Sequence, residues 1–196
     1  MTIEPFRRKL HRIAVIGIAL SAVSWCFTGT ATAAHGPVSD GYYEFRVAHS
    51  GLCLDVLNRT VDRVESVVQA SCSGGTNQAW KLEPTSDSEY YHIKVEHSDK
   101  CLDVAWASRE HAAAVVQADC VNTDNQAWKF KGITAGRVQR GDGRRMPRED
   151  INYKLVAKHS QLCLDVKNSS VENGAFVVQA RCWDPGYNQQ WRMVPR

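Results

Sequence analysis

Three aspartates stand in the same tetrapeptide, Cys-Leu-Asp-Val, as Asp55, Asp103 and Asp165, and an Asn-Gln pair follows each of them, at Asn77 and Gln78, Asn125 and Gln126, and Asn188 and Gln189. A carboxylate has two acceptor oxygens and a side-chain amide has both donors and an acceptor, so together they suit vicinal hydroxyls, which each give and take a hydrogen bond. The same aspartates also read as caps of tight turns. His49, His97 and His159, each followed by Ser, read as one turn repeated three times rather than as metal or acid-base groups. Ser, His and Asp are all present, yet every repeated member occurs in triplicate and in register, and no nucleophile elbow, zinc-binding histidine pair or phosphate-cradling glycine loop is found. The expectation is a binding chain, not an enzyme, with no metal and no cofactor.

The elements that position these residues come in three copies. HSGLCLDV begins at His49, HSDKCLDV at His97 and HSQLCLDV at His159; VVQASC, VVQADC and VVQARC follow, then NQAW, NQAW and NQQW. Such self-similarity is the signature of a repeat architecture. Cys53 to Cys72, Cys101 to Cys120 and Cys163 to Cys182 are each 19 residues apart. Six cysteines admit about 15 pairings. The repeat favours one disulfide within each copy, with linkage of each copy to the next, as in Cys72 to Cys101, as the symmetric rival. Closing a loop of about 20 residues contributes on the order of 3 kcal/mol per bridge in the chain-entropy model.

Within a copy the pattern is that of strands. Tyr43, Phe45 and Val47 alternate with Glu44 and Arg46, and Tyr91, Ile93 and Val95 with His92, Lys94 and Glu96, which predicts one buried face and one wet face. Three further short apolar runs follow, at 53–56, 67–70 and 79–82 in the first copy, giving four strands per copy and twelve in all. Propeller blades also have four strands, but propellers typically need four or more blades, so a closed threefold barrel fits three copies better. No amphipathic helical period appears after the first 34 residues, and the fold class is all-β. Trp80, Trp128 and Trp191, one large ring per copy, are expected in the core, with Gln78, Gln126 and Gln189 holding backbone.

Residues 1–34 read as an export signal: Arg7, Arg8, Lys9 and Arg12 precede an apolar run from Ile13 to Val23, and small residues at 31–34 place cleavage after Ala33 or Ala34. The run is too short for an ordinary membrane span. The whole chain has 24 Lys+Arg and 21 Asp+Glu; removing four basic residues and one acidic residue with the signal leaves 20 against 20. That balance gives no reason to expect nucleic acid or anionic lipid as partner. Cys26 leaves with the signal, and the even number of cysteines that remains implies an exported, secreted, disulfide-bonded protein. The copies span about 41–84, 89–131 and 151–196. An arginine-rich insertion at 132–150 reads as a solvated surface loop, because Asp142, Glu149 and Asp150 dilute its charge.

Three Gln-x-Trp motifs, three CLDV segments and three cysteine spacings in register make residues 41–196 resemble a ricin B-chain type lectin domain, a β-trefoil. The resemblance implies a shallow sugar pocket in each repeat, with Asp55, Asp103 and Asp165 accepting hydrogen bonds from adjacent sugar hydroxyls. It implies Asn77, Asn125 and Asn188 beside them, with Gln69, Gln117 and Gln179 in support. The family usually carries an aromatic platform two residues before the second cysteine, and here Ala70, Ala118 and Ala180 occupy those positions. Trp183 and Tyr187 in the third repeat and Trp106 in the second are the candidate replacements, which makes the third repeat the preferred site. The implied partner is a glycan or polysaccharide, bound by a monomer at up to three weak sites. The alternative is a β-trefoil that has lost sugar binding and contacts protein, as an interaction or inhibitor module, because fold alone does not fix function.

Overall fold

In the computed structural model, which describes residues 41–62, 64–133 and 151–196, each repeat contributes four strands and nearly every predicted apolar run is one of them. The first repeat holds β1 (Tyr43–Val47), β2 (Cys53–Val56), β3 (Glu65–Ala70) and β4 (Trp80–Pro84). The second holds β5 (Tyr91–Val95), β6 (Cys101–Val104), β7 (Val115–Ala118) and β8 (Ala127–Ile133). The third holds β9 (Asn152–Ala157), β10 (Cys163–Val166), β11 (Val177–Ala180) and β12 (Trp191–Pro195). The first and fourth strands of the repeats pair antiparallel in a closed ring, β1 with β4, β4 with β5, β5 with β8, β8 with β9, β9 with β12 and β12 with β1. Closure removes the sheet edges that would otherwise recruit other chains.

The second and third strands of each repeat form hairpins, β2–β3, β6–β7 and β10–β11. These cap the ring by pairing cyclically: Ser66 opposes Val116, Ala114 opposes Val178, and Val68 opposes Phe176. This is the β-trefoil, and its threefold axis follows from the repeated words of the sequence. Trp80, Trp128 and Trp191 are fully buried with Leu54, Leu102 and Leu164, and each indole Nε1 donates to the carbonyl of that same leucine at 2.9–3.1 Å. A core built on three large rings therefore leaves no indole donor unpaired.

One disulfide staples each repeat, Cys53–Cys72, Cys101–Cys120 and Cys163–Cys182, with Cα separations of 5.1, 5.1 and 5.2 Å, so the inter-repeat pairing is not formed. Two expectations need correction. The face of β1 and β5 predicted to be wet is partly covered: Glu44 and His92 are buried, Glu44 being neutralised by Arg46 through bonds of 3.1 Å from Nε and 2.7 Å from Nη2. The insertion begins later than residue 132, because β8 continues to Ile133 and pairs Gly132 with Tyr153 and Ile133 with Asn152. The rest of the insertion and the export signal lie outside the described residues.

Candidate functional site

The CLDV strand buries its aspartate at the foot of the hairpin, and the same triangle of side chains forms three times. Asn77 Nδ2 donates to Asp55 Oδ2 at 2.9 Å and Gln78 Nε2 at 2.5 Å; Asn125 and Gln126 reach Asp103 Oδ2 at 3.0 and 2.8 Å; Asn188 and Gln189 reach Asp165 Oδ2 at 2.9 and 2.8 Å. The short turn just before the Trp strand places the two amides side by side, at 76–78, 124–126 and 187–189. Gln78, Gln126 and Gln189 also hold backbone, each accepting from an N–H (Ser73, Val121, Trp183) and donating to a carbonyl (Ser71, Asp119, Arg181). They do what the sequence predicted and, in addition, fix the aspartate.

What remains for a ligand is the other carboxylate oxygen. Asp55, Asp103 and Asp165 are only 7, 6 and 5 % exposed, and Oδ1 of each takes no protein hydrogen bond among the described residues. Those oxygens are not among the buried atoms without partners, so solvent reaches them. The asparagines offer less than expected. In Asn125 and Asn188 the amide nitrogen also donates to a carbonyl, that of Val104 or Val166, at 3.2 Å, so both donor hydrogens are used internally and only Oδ1 is left. The second and third sites thus present two acceptors, matched to hydroxyls that both donate. The first site differs: Asn77 Oδ1 is buried without a partner, and the Arg59 guanidinium crowds the same corner, where a Cβ on Gly75 would lie 2.5 Å from Asn77 Oδ1 and 2.7 Å from Arg59 Nη2. Burial raises the pKa of all three aspartates above the ordinary 3.8, and the Gln and Asn hydrogen bonds offset only part of that.

Gln69, Gln117 and Gln179 are fully buried, and their side-chain amides brace the turns of other repeats. Gln69 Nε2 donates to the carbonyls of Ser170 and Glu172 at 2.8 and 2.9 Å, more than 100 residues away, while Ser50 Oγ donates to its Oε1 at 2.8 Å. Gln117 holds Thr60 and Asp62 in the same manner, and Gln179 holds Ser108 and Glu110. The histidines complete the clamp. Nε2 of His49, His97 and His159 lies 2.7–2.8 Å from the carbonyls of Ser170, Thr60 and Ser108, and since a carbonyl only accepts, that nitrogen carries the proton. Each of the three turns that follow the site aspartates is therefore fastened by the next repeat around the ring.

The third repeat has a defined pocket of about 210 Å³ containing Asp165, Asn188 and Trp183, three of the predicted residues, with Ala180 in its wall. Trp183 is 49 % exposed, and its backbone is fixed on both sides, by Gln189 Oε1 at its N–H and by Lys154 Nζ at its carbonyl. Tyr187 is exposed but is not part of this lining. Sequence reasoning missed Lys167, Arg181 and, from the neighbouring repeat, His111, all of which line the pocket. The available signal was asymmetry: Lys167 and Arg181 stand where the other repeats have Leu57 and Ser71, or Ala105 and Asp119.

Trp106 is 98 % exposed and holds φ at 60°, a left-handed conformation unusual for a bulky side chain. Its counterparts Asn58 and Asn168 have φ of 57°, and asparagine tolerates this region well. Because Asn168 lines the third pocket, Trp106 stands at the corresponding lip of the second site.

Comparison with known proteins matches this geometry to one family. The family model described as ricin-type beta-trefoil lectin domain-like matches residues 24–118, 85–145 and 124–196. Among solved structures, the designed three-fold symmetric protein ThreeFoil is 42 % identical, with a TM-score of 0.66 over 79 % of this chain and 99 % of its own. An exo-beta-1,3-galactanase from Clostridium thermocellum is 29 % identical, with a TM-score of 0.67 over 82 % of this chain but only 31 % of the enzyme. The Rhizoctonia solani agglutinin, 19 % identical, shares the fold with a TM-score of 0.62 over 80 % of this chain and 95 % of its own. No curated protein sequence matches the chain.

Proposed function

This chain belongs to the ricin-type β-trefoil lectin-like family, and from that premise we propose that it is a secreted carbohydrate-binding protein with up to three weak glycan sites and no catalysis of its own. The single observation that carries the reading is the divided carboxylate. In each repeat Oδ2 is anchored by two amides and Oδ1 is left facing solvent, beside an Asn Oδ1 in the second and third sites. A pair of fixed acceptors recognises two adjacent hydroxyl donors, the group that sugars offer and most other small molecules do not. The third site is the principal one, with Trp183 as the surface on which the apolar face of a sugar packs; Trp106 serves the second.

Passing the protein over a glycan array and insoluble polysaccharides, beside the Asp165→Asn variant, tests this. Retention of the wild type that weakens in the variant supports the reading; absence of retention with the disulfides intact refutes it. Ala70, Ala118 and Ala180, where the resemblance leads one to expect rings, favour a second reading, a trefoil that contacts protein instead of sugar. A blank glycan array together with a stoichiometric protein partner distinguishes it.

A further inference from the structure

The third pocket differs from its two counterparts in charge. Lys167 follows β10 directly and Arg181 follows β11 directly, and both line the cavity that contains Asp165 and Asn188. Both residues are exposed, and neither side chain forms an ion pair or hydrogen bond with any described residue, so two uncommitted cationic side chains border the rim of a cavity lined by one carboxylate. His111 enters the lining from the second repeat, its Nδ1 lying 3.4 Å from the Arg181 backbone N–H. At the equivalent strand ends the first repeat has Leu57 and Ser71 and the second has Ala105 and Asp119, the latter already engaged by Lys100 at 3.0 Å. With residues 1–34 set aside, Lys+Arg and Asp+Glu balance, so two unpaired cations lining one small cavity are a local feature, not an overflow of general basicity.

Resting on the glycan-binding reading, we propose that the third site selects a saccharide unit bearing an anionic substituent, a uronate carboxylate or a sulfate ester. Asp165 Oδ1 and Asn188 Oδ1 take two ring hydroxyls, Trp183 takes the apolar ring face, and the anionic group lies at the Lys167 and Arg181 edge. The planar guanidinium of Arg181 presents paired donors that match a carboxylate or sulfate, while Lys167 adds a point charge. The anion does not compete with Asp165, because the neutral hydroxyls separate the two. The second site, with Ala105 and Asp119 at these positions, binds neutral units; the first has Leu57 and Ser71 there and carries a single cation of its own, Arg59, beside Asn77.

The test uses matched oligosaccharide pairs: oligogalacturonides against their carboxyl-reduced forms, and sulfated galactan fragments against the desulfated ones, titrated calorimetrically into the full protein. The anionic member of at least one pair is expected to bind about tenfold tighter at low ionic strength, with the advantage shrinking as salt is raised. The pair that shows the preference identifies the substituent. In Lys167→Ala/Arg181→Ala the anionic-to-neutral ratio falls towards one. Equal binding of both members, or a preference that survives Lys167→Ala/Arg181→Ala, overturns the charge selectivity and leaves glycan binding standing. No binding to any member by a folded protein overturns both.

Discussion

The aspartate of each repeat gives Oδ2 to two amides and leaves Oδ1 to solvent, and on the proposed glycan-binding reading that division explains why an acid is kept in so buried a place. Asp165→Asn preserves shape: its carbonyl oxygen can face Asn188 and Gln189, but an amide NH2, which only donates, then replaces the outward acceptor. Affinity at the third site should fall by at least tenfold, since hydrogen bonds to a charged group contribute about 1.5–3 kcal/mol, while the melting temperature changes little. Titration calorimetry and thermal melts check both halves. Because burial raises these pKa values above 3.8, the folded chain keeps protons that the unfolded chain has released. Their contribution to stability therefore falls as pH rises from 3.8 through the folded values, then levels off. Hydroxyl donors favour the ionised form, so affinity has the opposite trend and is lost as pH falls through the raised values. Denaturant melts and binding isotherms across the acid range should show the two opposed slopes, and Asp55→Asn/Asp103→Asn/Asp165→Asn should remove the first. The aspartates and asparagines were legible because the words around them repeat. The direction of each amide was not, since it depends on the Val104 and Val166 carbonyls that happen to lie beside it.

The turns after β2, β6 and β10 carry the site geometry, and none of them is held by its own repeat alone. Gln179→Ala would strip donors from the Ser108 and Glu110 carbonyls and should cost about 1–3 kcal/mol, read from denaturant melts. It should also weaken the second site, whose turn it fastens, more than the third, where it resides in sequence. The Trp106 turn makes a sharper case. Trp106→Asn restores the residue type of the other repeats at this left-handed position and should stabilise the fold by about 1 kcal/mol while reducing affinity at the second site. A rise in melting temperature with unchanged second-site binding would show that the exposed indole is not a sugar surface. Strand positions were readable from apolar alternation and from the cysteines. The clamps were not, because Gln69 and Ser170 are 101 residues apart and only ring closure brings them together. Glu44 and His92 failed the wet-face expectation because alternation reports which side chains face the barrel core, not how far the opposite face is covered.

For the molecule as a whole, the β-trefoil is a closed ring in which each repeat supplies both an Asp-Asn-Gln triangle and the brace for a neighbour's turn. Reduction of the disulfides should lower stability by on the order of 3 kcal/mol per bridge, enough in total to unfold a domain of ordinary stability, as denaturant melts with and without reductant would show. On the proposed reading of weak sites, a millimolar affinity is worth only ~4 kcal/mol per site, so useful retention would require engaging more than one site on a single polymer. The central claim is that the outward oxygens of Asp55, Asp103 and Asp165 are the shared recognition element. The most direct measurement is retention of Asp55→Asn/Asp103→Asn/Asp165→Asn on a polysaccharide that retains the wild type, with the fold verified by near-ultraviolet circular dichroism. The account predicts a folded protein that passes through unretained; a folded triple variant that is held as firmly as the wild type would contradict it.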